Sequence, residues 1–223
     1  IALFSLCGLF AQEYVPTHGR ELPRGELLAY PSAEAATAAD GGDNRYFTRL
    51  TEWSLDGNVF STDFTVPFAW ANRQVLFHLG WASGDYELRV NGRPAACNAD
   101  GNTPAEFNLT KLTKEGRNSL EIVVAQPSPT APLERWKEAP RPAIGGAWVM
   151  SPPTLHIRDV ITRTRLAEDG SATAEVAVVL KSDALNPRTS RIHYELLDPT
   201  GERAAAGHKD FTLDMRREDT LRF

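Results

Sequence analysis

Only two cysteines, Cys7 and Cys97, occur in 223 residues, and 24 Lys and Arg against 29 Asp and Glu leave a net charge of −5. The first scarcity excludes a disulfide framework, so stability must come from packing. The second excludes a nucleic-acid binder, which needs a basic patch to neutralise phosphates. The five histidines, His18, His78, His156, His193 and His208, are scattered without any paired metal-ligand spacing, so no metal site is expected. Three of them, His78, His156 and His193, fall in strand-like runs where a solvent-facing or hydrogen-bonded imidazole is the default. No apolar run is long enough for a membrane span, and no helical pattern is long enough for a βαβ crossover.

Short alternating runs and turn residues fill most of the chain instead. In Val75–Arg93, Val75, Phe77 and Leu79 alternate with Leu76 and His78, and Tyr86, Leu88 and Val90 with Glu87, Arg89 and Asn91. Gly84-Asp85 interrupts the alternation. Asn91-Gly92 suits a type I′ turn, whose central residues both need positive φ, so Val75–Cys97 is predicted to be a β-meander. Further strand pairs are expected at Arg45–Leu55 with Asn58–Val66 around Asp56-Gly57, and at Pro104–Leu112 with Asn118–Gln126 around Lys114–Gly116. After Pro152-Pro153 come two longer pairs, Asp159–Ser182 turned at Glu168–Gly170 and Ser190–Leu213 turned at Asp198–Gly201. Turns this frequent predict an all-β protein of antiparallel sandwiches. The second sandwich reads as immunoglobulin-like, yet such a fold takes about seven strands and ~100 residues. It is therefore expected to be incomplete, with a bare edge that invites homo-oligomerisation.

The segments divide as follows. Residues 1–11, almost wholly apolar, read as a signal-peptide remnant with cleavage near Ala11, which places the protein in the periplasm or outside the cell. Lipidation at Cys7 wants a small residue before it, and Leu6 is not small; a buried N-terminal strand is the plainer alternative. Residues 12–44 form a leader in which Ala33–Ala39 looks helical before Gly41-Gly42. Residues 45–153 make the first sandwich and 154–223 the second. Pro127–Pro142 is too proline-rich for a central strand and must be an extended loop.

Candidate functional residues are few. Trp136 in that loop offers a flat indole face for a ligand, or a plug against a sheet edge, and Glu134 lies beside it. Asn98, Asp100 and Asn102 carry amides and a carboxylate able to hydrogen-bond a polar ligand, although Asn-Ala-Asp-Gly-Asn is also ordinary turn chemistry. A calcium loop is excluded there for want of a terminal bidentate Glu. Trp81 ends a strand in either a core or a rim position. Cys97 is expected to be a small buried apolar group, and Glu52, Glu87, Glu106, Glu121 and Glu195 to lie on solvated strand faces or in loops.

GWASGDYELRVNGR, NADGNTPAEFNLTKLTKEGRNSLEIVV and IGGAWVMSPPTLHIRDV together resemble the front of glycoside hydrolase family 2 enzymes, β-galactosidases especially. The resemblance covers about residues 60–213. It implies a galactose-binding-like jelly-roll β-sandwich followed by a truncated immunoglobulin-like sandwich. It also implies a carbohydrate partner, a β-galactoside or related glycan, bound by a full-length enzyme, with Trp136 stacking on a sugar ring and Glu134, Asn98, Asp100 and Asn102 as the candidates for contact with its hydroxyls. In that family two glutamates act from a (β/α)₈ barrel that follows the sandwiches, so the chain is expected to lack catalytic residues and to need that barrel as its partner. A loop of the family's first domain can carry an Asp that touches sugar or a metal; the matching run here, Gln126-Pro127-Ser128-Pro129, has no carboxylate. No cofactor is implied for this chain, and magnesium or sodium only for a full-length enzyme. The other reading is a free-standing carbohydrate-binding or adhesion protein without hydrolase activity.

Overall fold

The computed structural model describes residues 17–38, 44–125 and 141–223. The chain forms two units, one of residues 1–23 and 40–151, the other of residues 24–39 and 152–223.

The first unit is a sandwich of two antiparallel sheets. Strands β1 (Phe47–Arg49), β9 (Ile144–Met150), β4 (Leu76–Ala82) and β7 (Ala105–Asn108) lie in that order in one sheet. The other runs β2 (Ser54–Asp56), β3 (Val59–Val66), β8 (Gly116–Val124), β5 (Tyr86–Val90) and β6 (Arg93–Asn98). Period-two patterning makes both sheets one-sided. On β8, Asn118, Leu120, Ile122 and Val124 are buried while the residues between are half-exposed, and on β5 Tyr86, Leu88 and Val90 are buried while Glu87 and Arg89 are exposed. These side chains meet Phe77, Leu79, Phe107 and Val149 of the facing sheet in one core. There the Phe77 and Phe107 rings stack at 6.5 Å and Tyr86 meets Phe107 edge-on at 6.1 Å. Each such fully buried side chain contributes about 1.5–3 kcal/mol by leaving water. Trp70, also in this core, satisfies its indole N–H on the Arg45 carbonyl at 2.9 Å.

Pairing departs from the sequence expectation in a consistent way. Val75–Cys97 is not a meander, because β4 and β5 lie in different sheets and Ser83–Asp85 cross between them; only β5 and β6 form a hairpin. Its turn is as expected, with φ of 52° at Asn91 and 73° at Gly92. Arg45–Leu55 likewise divides into β1, paired with β9, and β2, paired with β3 across Gly57 at φ 60°. The expected pair over Pro104–Gln126 also divides, β7 joining β4 and β8 joining β3 and β5. Alternation reports which face is buried, and in a sandwich the strands of both sheets point at the same core. It does not choose between a neighbour beside and a neighbour opposite.

β4 shows a second departure. Leu76 to Leu79 are all buried, so this central strand is covered on both faces. His78 is not solvent-facing: it lies stacked on Trp148 of β9, ring centres 3.7 Å apart and planes within 5°.

The start of the described chain acts as a strap on the first unit. His18 exchanges both backbone hydrogen bonds with Cys97 on the edge strand β6, and Arg20 bridges to Phe107 on the edge strand β7. One short run of chain thus ties an edge of each sheet. Cys97 is partly exposed rather than fully buried, and burial followed by the nearby Glu87 charge pushes its thiol pKa up, the reverse of an activated nucleophile.

The second unit contains the helix α1 (Ala33–Ala38), capped by Ser32 through Ala35 N–H at 3.2 Å. Its strands are β10 (Leu155–Leu166), β11 (Ala172–Ser182) and β14 (Glu218–Arg222) in one antiparallel sheet and β12 (Arg188–Leu197) and β13 (Arg203–Leu213) in another. The turns of the two long pairs carry Gly170 at φ 83° and Gly201 at φ 86°. Asp198 accepts the backbone N–H of Thr200 and Glu202 in the second turn. Buried Val178, Leu180 and Leu213 form the core, with Leu155, Val176, Ile192, Phe211, Leu221 and Phe223 packed against them. His156 fits its expectation of a hydrogen-bonded imidazole: Nδ1 lies 2.7 Å from the Pro153 carbonyl.

Candidate functional site

Strand β6 ends at Asn98, where the polar loop Ala99–Thr103 begins. Asn98 is wholly buried. Its Oδ1 accepts from Thr17 Oγ1 and Asp100 N–H, both at 3.3 Å, and its Nδ2 donates to the Tyr86 hydroxyl at 3.1 Å and the Asp100 carbonyl at 2.5 Å. Those bonds use the donor and acceptor capacity of one amide, so the side chain holds the strap and has no surface for a ligand. Burial pushes the Tyr86 phenol up to about 12, which keeps it a neutral hydrogen-bonding partner.

Asp100 is similarly engaged. Its carboxylate accepts from Thr103 Oγ1 at 2.5 Å and lies 3.6 Å from Arg20 Nη1. Arg20 Nη2 also donates to Thr103 Oγ1 and to the Pro104 carbonyl. Of the three polar candidates in this loop only Asn102 is exposed.

The loop is pressed onto the end of β4. Ala82 N–H donates to the Gly101 carbonyl at 2.7 Å, and a Cβ at Gly101 would run into the carbonyls of Gly84 and Ala82. Asn102 is thereby brought to the strand end that carries Trp81. Trp81 is 44 % exposed, a rim position. It pairs with Gly145 of β9, and any Cβ on Gly145 would collide with the indole. Gly146, next along, has φ 66°. The Ser83–Ala143 link, N–H to carbonyl at 2.9 Å and N–H to Oγ at 3.0 Å, fastens the same end. An exposed indole seated on glycine backbone, at the strand end to which the Asn102 loop is tied, offers a flat apolar face of the kind a pyranose stacks on. The sequence clue to this seat was the Gly-Gly of Ile-Gly-Gly, legible only once Trp81 and Gly145 are known to be paired. Trp136 and Glu134 lie outside the described residues.

Among the glutamates singled out in the sequence, Glu87 and Glu121 lie on neighbouring strands of the five-stranded sheet, Glu106 on the four-stranded sheet and Glu195 in the other unit. Glu87 pairs with Arg89, and Glu195 with Arg203. No group of three or more His, Cys, Asp or Glu among the described residues could hold a metal ion.

The chain is 29 % identical over 144 residues to a β-galactosidase of Yersinia pestis bv. Antiqua (strain Angola), an overlap of 61 % of this chain and 14 % of that protein. Its fold matches the β-glucuronidase of Bacteroides uniformis with a TM-score of 0.65 at 19 % identity, over 74 % of this chain and 21 % of that one. Sequence and fold agree. The chain is similar to the N-terminal front of glycoside hydrolase family 2 enzymes. A glycoside hydrolase family 2 member from Bacteroides cellulosilyticus gives the same picture, with a TM-score of 0.61, 17 % identity and coverage of 74 % and 23 %. No family model matches the chain. The likeness to family 2 fronts accounts for the all-β architecture, and the chain spans about a seventh of the length of the curated relatives it matches.

Proposed function

We propose that the chain is the non-catalytic front of an exported, β-galactosidase-like hydrolase, and that the Trp81–Asn102 end of its first sandwich meets the carbohydrate. The observation that carries this reading is the 144-residue sequence match to β-galactosidases. In this reading the catalytic acid and nucleophile are supplied from outside this chain. The apolar run Ile1–Ala11 supports export to the periplasm or beyond. In this role Trp81 stacks on the apolar face of a pyranose, Asn102 bonds its hydroxyls, and both bind and orient while breaking no bond.

Two measurements test the proposal. The purified chain releases no nitrophenol from an aryl β-galactoside, whereas the product of the coding sequence extended beyond codon 223 does; release by the chain itself, or none by the extended product, overturns the hydrolase part. Methyl β-galactoside quenches tryptophan emission of the chain, and Trp81→Ala removes the quench; quenching that survives this substitution overturns the assignment of Trp81.

A further inference from the structure

On β12 and β13 the cross-strand register places Thr189 opposite Thr212, Arg191 opposite Asp210, His193 opposite His208 and Glu195 opposite Ala206. Side chains alternate along a strand, so these rungs share one face of the hairpin. The opposite face carries Ile192 and Phe211 into the small core of the second unit. On the rung face, neighbouring groups complement each other. The threonine hydroxyls are 2.9 Å apart, Arg191 grips Asp210 through Nε at 2.5 Å and Nη2 at 2.9 Å, and Arg203 reaches Glu195 Oε1 at 3.2 Å. Between the two ion pairs stands a rung of two like side chains, the imidazoles of His193 and His208, ring centres 5.7 Å apart and tilted by 42°. Both histidines are exposed.

The two exposed imidazoles present their lone pairs side by side. A single cation can accept a lone pair from each ring. A metal held about 2.0–2.1 Å from one nitrogen of each ring sets ring centres about 5–6 Å apart, the separation already present. Imidazole pairs select borderline ions such as Zn²⁺, Ni²⁺ and Cu²⁺ over hard Mg²⁺ and Ca²⁺. The ion pairs on either side, Arg191 with Asp210 and Arg203 with Glu195, leave each neighbouring rung neutral. The Glu195 contact with Arg203 is through Oε1.

We propose that His193 and His208 form a two-imidazole site for a borderline divalent transition-metal ion, with water completing the coordination. The bound ion staples β12 to β13. With two protein ligands the site is exchangeable and of modest affinity, and it is independent of the carbohydrate reading of the first unit.

Copper provides a direct probe. Substoichiometric Cu²⁺ added to the whole chain broadens the ring-proton resonances of His193 and His208 ahead of those of His18, His78 and His156, without any substitution that could disturb folding. About 1 mM Ni²⁺ or Zn²⁺ raises the melting temperature by ~2–4 °C while Mg²⁺ does not, and His193→Asn or His208→Asn abolishes the shift. Equal broadening of all the histidines, no broadening at all, or a melting shift that persists in both variants overturns the proposal.

Discussion

In the first sandwich Phe77, Leu79, Phe107, Leu120, Ile122 and Val149 reach zero exposure, all within a core drawn from both sheets. In the second, burial concentrates on Val178, Leu180 and Leu213, while Leu166, Leu196 and Leu197 stay more than half exposed. The apolar alternation of the two regions looks alike in sequence. The difference lies in how many strands face one another: among the described residues nine strands enclose the first core, and five in two small sheets make up the second unit. A period-two pattern supplies an apolar face, and only a facing sheet of similar width converts that face into burial.

This contrast can be broken by substitution. The largest effect is expected in the first core, where Phe107→Ala removes the ring that contacts both Phe77 and Tyr86 and costs about 3–5 kcal/mol. Urea unfolding should show this loss, and a smaller one for Ile161→Ala on the half-exposed β10; equal losses would erase the distinction between the units.

A pH titration reports on the second unit specifically. Desolvation lowers the His156 pKa from 6.5 to about 4, and the Arg24, Lys181 and Arg158 charges act in the same direction against the hydrogen bond to Pro153. The folded state therefore resists a proton that the unfolded chain accepts. Stability is full above pH 6.5 and falls as the pH drops toward 4, by at most ~3 kcal/mol. Replacing His156 by Gln flattens that slope, as measured by denaturation midpoints between pH 7 and 4; an unchanged slope would refute the assignment.

Next in size is Asn98→Ala, which strands the Tyr86 hydroxyl and loosens the strap at an expected cost of ~1–3 kcal/mol. Hydrogen exchange at His18 and Cys97, whose amides pair with each other's carbonyls, should accelerate well before exchange within β8. The smallest effect is Gly145→Ala, which displaces the Trp81 indole and shifts tryptophan emission with under ~1 kcal/mol lost, since a half-exposed side chain can move aside.

Legibility in the sequence followed the range of the interactions. Turns at Asn91-Gly92, Asp56-Gly57 and Asp198–Gly201 are local chemistry and were readable, as were the long strand pairs β10–β11 and β12–β13. The three crossings between sheets were not, because residues such as Phe77 and Tyr86 alternate identically whether their strands are adjacent or opposed. The candidate site was half legible. Asn98, Asp100 and Asn102 looked equivalent in sequence, and only long-range partners separate them: Thr17 and Tyr86 bury the first, Arg20 engages the second, and the third stays exposed. The His78–Trp148 stack also depends on a pairing across some seventy residues of chain.

The path of the chain through its two units has a practical result. It passes from the first unit to the second after Pro23, returns at Asp40 and leaves again after Ser151. A protease that cuts only at the Pro152-Pro153 joint leaves a fragment still carrying a piece of the second unit, and grafting residues 44–151 onto another protein omits the strap that ties β6 and β7. Neither unit is one uninterrupted stretch of the chain.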